Sequence, residues 1–124
     1  MKLFSVKEAN ETLSEVIPRL IAIRDLYVIV DSLRSEARAA AGASALGGGM
    51  EGGTAYVNTL YQIGKHTTEI HDLGIEIKDP ARGLIDFPSM RGDRVVLLCW
   101  QIGDGDEIEW WHETDTGFAG RQKL

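Results

Sequence analysis

The periodicity of the apolar residues changes at Gly74, and this change constrains the fold more than any other feature of the sequence. Before Gly74, apolar residues recur at alternating steps of four and three, which is the spacing of a heptad seam on a helix. After Gly74, apolar and polar residues alternate, which is typical of β-strands. The sequence therefore predicts an α+β fold, in which a long antiparallel helical hairpin precedes a small antiparallel β-meander of about four strands.

The first helix is predicted to begin at a capping box. Ser5-Val6-Lys7-Glu8 has the required spacing, because the Ser5 side chain can accept from the backbone N–H of Glu8 while Glu8 reaches back to Ser5. The seam that follows consists of Ala9, Leu13, Val16, Leu20, Ile23, Tyr27 and Val30. A second apolar set widens it: Ile17, Ile21, Val28, Ile29 and Leu33. Pro18 lacks the N–H that would bond the carbonyl of Ser14, so we expect a kink or break there.

A connector rich in glycine and alanine, residues 41–53, divides the helical part of the chain. It is predicted to be a flexible linker rather than a phosphate-binding loop, because no strand precedes it and no Gly-Lys-Ser/Thr closes it. The second helix is predicted from about Thr54 to Leu73. The helical hairpin thus occupies 5–74 and the β-meander with its C-terminal tail 75–124, within a single domain of 124 residues.

Strand signals follow the second helix at short intervals. The four predicted strands are Ile75–Lys78, Gly83–Phe87, which is ended by Pro88, Arg94–Gln101 and Glu107–Glu113. Arg91-Gly92-Asp93 is predicted to be a hairpin turn, and short connections of this kind produce an antiparallel meander. The apolar residues from Gly117 to the C-terminus show neither a helical nor a strand periodicity.

The third strand and the helices together predict self-association. Apolar residues occupy both faces of this strand, with Val95, Leu97 and Cys99 on one face and Val96, Leu98 and Trp100 on the other. Both faces of the sheet must then be covered, whereas one hairpin covers only one face. An unbroken first helix would also span roughly 52 Å, far beyond the radius of gyration of roughly 14 Å for such a domain. We expect a homodimer in which two hairpins form a four-helix bundle; alternatively, the chain folds back at Pro18 and completes a monomer.

Composition narrows the classes of partner. The chain has 13 basic against 19 acidic residues and a formal net charge of −6, which argues against general binding of nucleic acid. No apolar stretch is long enough to span a membrane, and the N-terminus lacks the features of a signal peptide. The single cysteine, Cys99, fits a reducing compartment. These observations predict a cytoplasmic protein without a membrane or nucleic-acid partner.

One polar cluster near the C-terminus could carry chemistry. Its candidate residues are Asp86, His112, Asp115 and Arg121. Asp86 lies mid-strand among apolar residues and needs a partner, for which His112 and Arg121 are the natural candidates. An imidazole oriented by Asp86 or Asp115 can act as a general base or a metal ligand. If a metal binds, its predicted ligands are His112, Asp115 and Asp86. The alternative is a core histidine with satisfied hydrogen bonds, and Cys99 is interpreted as a buried, inert thiol.

The sequence leaves two functions open, and it decides neither enzymatic activity nor a cofactor. No nucleophile elbow, Cys-x-x-Cys or Rossmann fingerprint occurs, which favours a non-enzymatic dimeric interaction or scaffold protein. The other hypothesis is a small-molecule or metal-binding protein, possibly a hydrolase, that uses the polar cluster. Convergence of His112, Asp86 and Arg121 on an open concavity would favour the second function. Burial beneath Phe118 or the tryptophans would indicate a structural role.

Several segments carry a family resemblance: Leu3–Asn10, Gly83–Pro88, Cys99-Trp100, Trp111-His112-Glu113 and Gly117–Arg121. In these segments the chain resembles the DUF2203 family, a group of small prokaryotic proteins of unknown function. The resemblance covers essentially the whole chain and is most specific in its C-terminal half. Family members often carry proline where this chain has Lys123. Because the family has no established activity, the resemblance implies only that these elements form one recurring unit.

Overall fold

The computed structural model describes residues 1–44 and 53–124, so most of the predicted connector at 41–53 lies outside the described residues. The elements are α1 (Val6–Ser44), α2 (Gly53–Asp72), β1 (Glu76–Asp79), β2 (Leu84–Arg91), β3 (Arg94–Gln101), β4 (Trp110–His112), a 3₁₀ turn (Phe118–Gly120) and β5 (Gln122–Lys123). The strands pair antiparallel in chain order, β1 to β5. The predicted α+β fold of hairpin followed by meander is confirmed. No helix in the described ranges is long and apolar enough to cross a membrane.

The start of α1 matches the predicted capping box. The Ser5 N–H donates to Glu8 Oε1 at 3.0 Å, and the Glu8 N–H donates to Ser5 Oγ at the same distance. The expected break at Pro18 is absent, because α1 continues through it to Ser44. Pro18 is exposed, so water can reach the backbone carbonyl that loses its partner. Val16 and Leu20, both fully buried, hold the helix to one core on either side of the proline.

The heptad seam of α1 forms the centre of the core. Its buried members are Ala9, Leu13, Val16, Leu20, Ile23 and Val30. All of them except Val30 belong to one core cluster. The sheet contributes to this cluster Ile85, Phe87, Val96, Leu98, Trp100 and Trp111. Two polar contacts join α1 to the segment before β4 and to α2. Asn10 Oδ1 accepts from the Ile108 N–H at 2.7 Å, and Arg19 Nε donates to Glu69 Oε2 of α2 at 2.8 Å.

Strand β2 does not end at Pro88, as predicted from its sequence, but runs on to Arg91. The Pro88 carbonyl accepts from the Phe4 N–H at 2.7 Å, so the backbone polar groups of Pro88 point away from β3. Pairing with β1 stops at Asp86, and on that side the proline faces the N-terminal segment instead. The missing N–H therefore removes no bond from the β-ladder, which is the condition under which proline is tolerated in a strand.

The C-terminal tail completes the sheet, although its sequence shows no period. β4 is shorter than predicted, and Gln122–Lys123 pairs with it as a fifth strand that the sequence did not predict. Leu97 and Cys99, on the face of β3 opposite the core cluster, are already buried within one chain. The sheet therefore does not need a second copy to cover this face, and the dimer prediction must rest on the helices alone.

Candidate functional site

The hairpin turn between β2 and β3 decides which side chains meet on the second face of the sheet. Gly92 has φ 65° at the first central position of this turn, a conformation that favours glycine and fits a type II′ turn. The turn pairs Arg91 with Arg94, and the same register places Asp86 opposite Cys99. On the next strand His112 pairs with Leu97. Because alternate residues of a strand share a face, Asp86, Cys99 and His112 lie on the same side of the sheet.

These three residues form a compact group that we call the Asp-Cys-His cluster. His112 Nε2 lies 3.0 Å from Asp86 Oδ1 and 3.1 Å from Oδ2. Potential ligand atoms of all three side chains lie within 4.8 Å of one another. His112 Nδ1 lies 2.7 Å from the Glu113 backbone carbonyl. Since a carbonyl only accepts, Nδ1 carries a hydrogen and Nε2 is the nitrogen directed at the carboxylate.

Burial sets the electrostatics of the cluster. Asp86 and Cys99 are 1% exposed and His112 is 2% exposed. Burial raises the pKa of Asp86 above its ordinary value, although the charge of His112 and its hydrogen bond act in the opposite direction. Burial, together with the charge of Asp86, raises the pKa of the Cys99 thiol to about 12. The free thiol is therefore protonated near neutral pH and is a poor nucleophile.

Arg121 closes one side of the cluster but does not bind Asp86. Its Nη1 donates to Asp104 Oδ2 at 2.8 Å and its Nη2 donates to Asp104 Oδ1 at 3.2 Å. The guanidinium carbon lies 4.6 Å from the centre of the Trp110 ring and 4.4 Å from that of Phe118. Nη1 is also 4.0 Å from Cys99 Sγ. The C-terminal segment thus lies across the second face of the sheet and is held there by an ion pair and two aromatic rings.

The Asp104–Arg121 pair gives the fold a pH dependence. Burial acts to raise the pKa of Asp104, but hydrogen bonds from Arg121 and the Gln101 N–H, and the charge of Arg121, lower it below the ordinary 3.8. A lowered folded-state pKa stabilises the protein above the ordinary value, and this stability is lost as the pH falls through the lowered one. Asp104→Asn is expected to cost about 2 kcal/mol at pH 7. The difference from the parent protein should shrink below pH 3.8, which urea unfolding across the acid range would test; a constant difference would contradict it.

The structure brings together some of the predicted site residues and separates others. Asp86 and His112 are in contact, as their sequence environment suggested. Arg121 lies beside them but binds Asp104, and Asp115 is exposed in the turn after β4. Two members of the site were not among the candidates: Cys99, which was interpreted as inert, and Asp104. The hairpin turn predicted at Arg91-Gly92-Asp93 contained a signal for Cys99. If its loop is Gly92-Asp93, Arg91 pairs with Arg94, and the same register pairs Asp86 with Cys99.

Fold and site together define a small α+β protein with a helical hairpin and a closed polar cluster on its sheet. The family model described as an uncharacterized conserved protein, DUF2203, matches residues 2–124. The chain belongs to this family, which confirms the resemblance of its segments. No curated protein and no solved structure matches the chain.

Proposed function

We propose that this protein acts as a homodimeric interaction or scaffold protein that associates through its helical hairpin. The observation that supports this function best is a set of large apolar side chains exposed on both helices. Val28, Ile29, Val57, Leu60 and Tyr61 are between 42% and 69% exposed. We refer to these five residues as the hairpin patch. Large apolar side chains exposed close together are typical of protein interaction sites.

The five residues lie at one level of the hairpin. The ion pair between Arg19 and Glu69 fixes where the antiparallel helices face each other. Counting nine residues onward in α1 and nine backward in α2 places Val28 opposite Leu60, about 14 Å along the helix axis from that ion pair. Tyr61 and Val57 fall within a turn of the same level. The exposed side chains therefore lie close to one another along the axis of the hairpin.

The charge distribution favours a second copy of the chain as the partner. Gly53 to Gly64 contains no charged residue, although the whole chain carries a net charge of −6. The charged residues near the patch on α1 balance one another: Arg24, Asp25, Asp31 and Arg34. Two hairpins can therefore approach without net repulsion between these segments. A groove of about 500 Å³ on α2, bordered by Val57 and Tyr61, offers space for apolar side chains of a facing helix.

The hydrolase alternative has less support from the site. The Asp-Cys-His cluster is closed to solvent, whereas a hydrolase needs a substrate and water at its reacting atoms. Arg121, one of the predicted site residues, is already held by both oxygens of Asp104. This arrangement fits a structural role for the predicted site residues.

The dimer is tested by placing charge in the hairpin patch. We expect the parent protein to sediment with about twice the 13.6 kDa mass of one chain at micromolar concentration. Val28→Asp combined with Tyr61→Asp should raise the dimer dissociation constant at least about 100-fold, because each carboxylate would be buried against an apolar partner. Analytical ultracentrifugation over a concentration series measures this change.

A matched control uses an exposed apolar residue outside the patch. Leu124→Asp adds one carboxylate, as Val28→Asp alone does, at a site 44% exposed and remote from the patch in sequence, and should leave the mass unchanged. A parent protein that sediments as a single 13.6 kDa species would overturn the proposed function. Equal weakening by Leu124→Asp would show that net charge, rather than the hairpin patch, governs association.

A further inference from the structure

We propose that Asp86, Cys99 and His112 form a closed binding site for Zn²⁺ on the second face of the sheet. The three side chains supply a carboxylate, a sulfur and an imidazole nitrogen, and their potential ligand atoms lie within 4.8 Å of one another. Zinc bonds of about 2.0–2.3 Å place tetrahedral ligand atoms roughly 3–4 Å apart. The existing separations are therefore close to those that a bound ion requires.

The imidazole is held in the orientation that a metal ligand needs. The Nδ1–H of His112 donates to the Glu113 carbonyl at 2.7 Å, which directs Nε2 at the Asp86 carboxylate. Metal-binding histidines generally donate their other ring N–H in this way, and the bond fixes both tautomer and ring position. Nε2 and the two Asp86 carboxylate oxygens face each other at 3.0 and 3.1 Å, so a proton or a metal cation can lie between them.

The set of donor atoms selects the ion. A thiolate with an imidazole suits zinc, whereas Mg²⁺ and Ca²⁺ prefer sites made wholly of oxygen. Both Asp86 oxygens lie at nearly equal distances from Nε2, 3.0 and 3.1 Å, so either or both can turn toward an ion. Binding through both oxygens would give four donor atoms from protein alone. The near-complete burial of all three residues fits a structural site rather than a catalytic one with an open position.

The surrounding charges are compatible with a dication. A thiolate and a carboxylate together neutralise Zn²⁺, and the imidazole binds uncharged. Arg121 does not compete for Asp86, because Asp104 holds its guanidinium with two hydrogen bonds. Its Nη1, 4.0 Å from Cys99 Sγ, can instead donate to the thiolate and support it as a ligand.

To test this site, the 124-residue chain is stripped of metal by a chelator and then titrated with Zn²⁺ or Co²⁺ alone. We expect about one equivalent of Zn²⁺ per chain by elemental analysis after dialysis, and a higher Tm with zinc than without it. Co²⁺ should produce a thiolate-to-cobalt charge-transfer band. Because Cys99 is the only cysteine in the sequence, that band identifies Cys99 as a cobalt ligand, and no substitution is needed to assign it. Less than about 0.1 equivalent of zinc together with no cobalt band would overturn the proposal.

Two variants separate this site from other zinc binding. Cys99→Ser should reduce bound zinc from about one to below about 0.1 equivalent and abolish the cobalt band. Asp115→Asn changes an exposed acid that the sequence also nominated as a ligand, and it should keep the full equivalent. A folded Cys99→Ser protein that retains zinc would overturn the proposal. If this variant fails to fold, the cobalt band of the parent protein alone decides, and either result leaves the dimer proposal unaffected.

Discussion

Replacing His112 with alanine is expected to lower the free energy of unfolding by about 3–5 kcal/mol. The reason is that Asp86, 1% exposed, would remain buried without the imidazole that contacts both of its oxygens. Breaking a buried pair by removing one partner costs this much, because the remaining polar group cannot regain water. Urea unfolding measures the loss. The variant and the parent protein are compared at the same protein concentration, because the apparent stability of a dimer depends on concentration.

The contribution of the pair itself follows from a double-mutant cycle. The double variant Asp86→Ala with His112→Ala should lose less free energy of unfolding than the sum of the two single variants. In the double variant neither side chain is left buried without its hydrogen-bond partner. Asp115→Ala is the matched control: an exposed acid from the same set of candidates, expected to change stability by no more than about 0.5 kcal/mol. A loss below about 1 kcal/mol for His112→Ala would show that the cluster is less buried, or less tightly paired, than described.

Leu20→Ala is expected to have a similarly large effect, about 2–5 kcal/mol. Leu20 is fully buried in the heptad seam of α1 and belongs to the core cluster that joins the helix to the sheet. Its truncation removes apolar burial and leaves a cavity two residues beyond Pro18, where a backbone hydrogen bond is already missing. Chemical denaturation of the variant measures the effect.

Val6→Ala provides the comparison for this core position. Val6 begins the same helix but is 39% exposed, so its truncation should change the free energy of unfolding by no more than about 0.5 kcal/mol. Similar losses for Leu20→Ala and Val6→Ala would contradict the assignment of the seam to the core. A large loss for Leu20→Ala alone would support it.

Features that depend on nearby residues could be predicted from the sequence. The capping box needs only Ser5 and Glu8, which lie three residues apart, and the structure contains both of its hydrogen bonds. The seam of α1 is equally local, because the helical period decides which side chains share a face. Asp86 was recognised as a buried acid in need of a partner because its strand neighbours are apolar. The sequence offered His112 and Arg121 as its candidate partners, and His112 is the one in contact with it.

Features that depend on distant parts of the chain could not be predicted in the same way. Pro88 stays within β2 because its backbone faces the N-terminal segment, which pattern alone does not show. Gln122–Lys123 becomes a strand because the tail returns to β4, and neither residue has a strand signal. Arg121 binds Asp104 rather than Asp86, and its guanidinium also packs on the Phe118 ring of the tail. In each example tertiary contacts outweigh local preference.

The edges of the sheet bear on how copies of this protein can meet. The two edge strands are short, four residues in β1 and two in β5, and the Phe4 N–H bonds the part of β2 that β1 leaves unpaired. Short or covered edges offer few free backbone groups to a strand from another molecule. Extension of the sheet from one molecule to the next is thereby discouraged, which agrees with the proposal that copies of the protein meet through their helices.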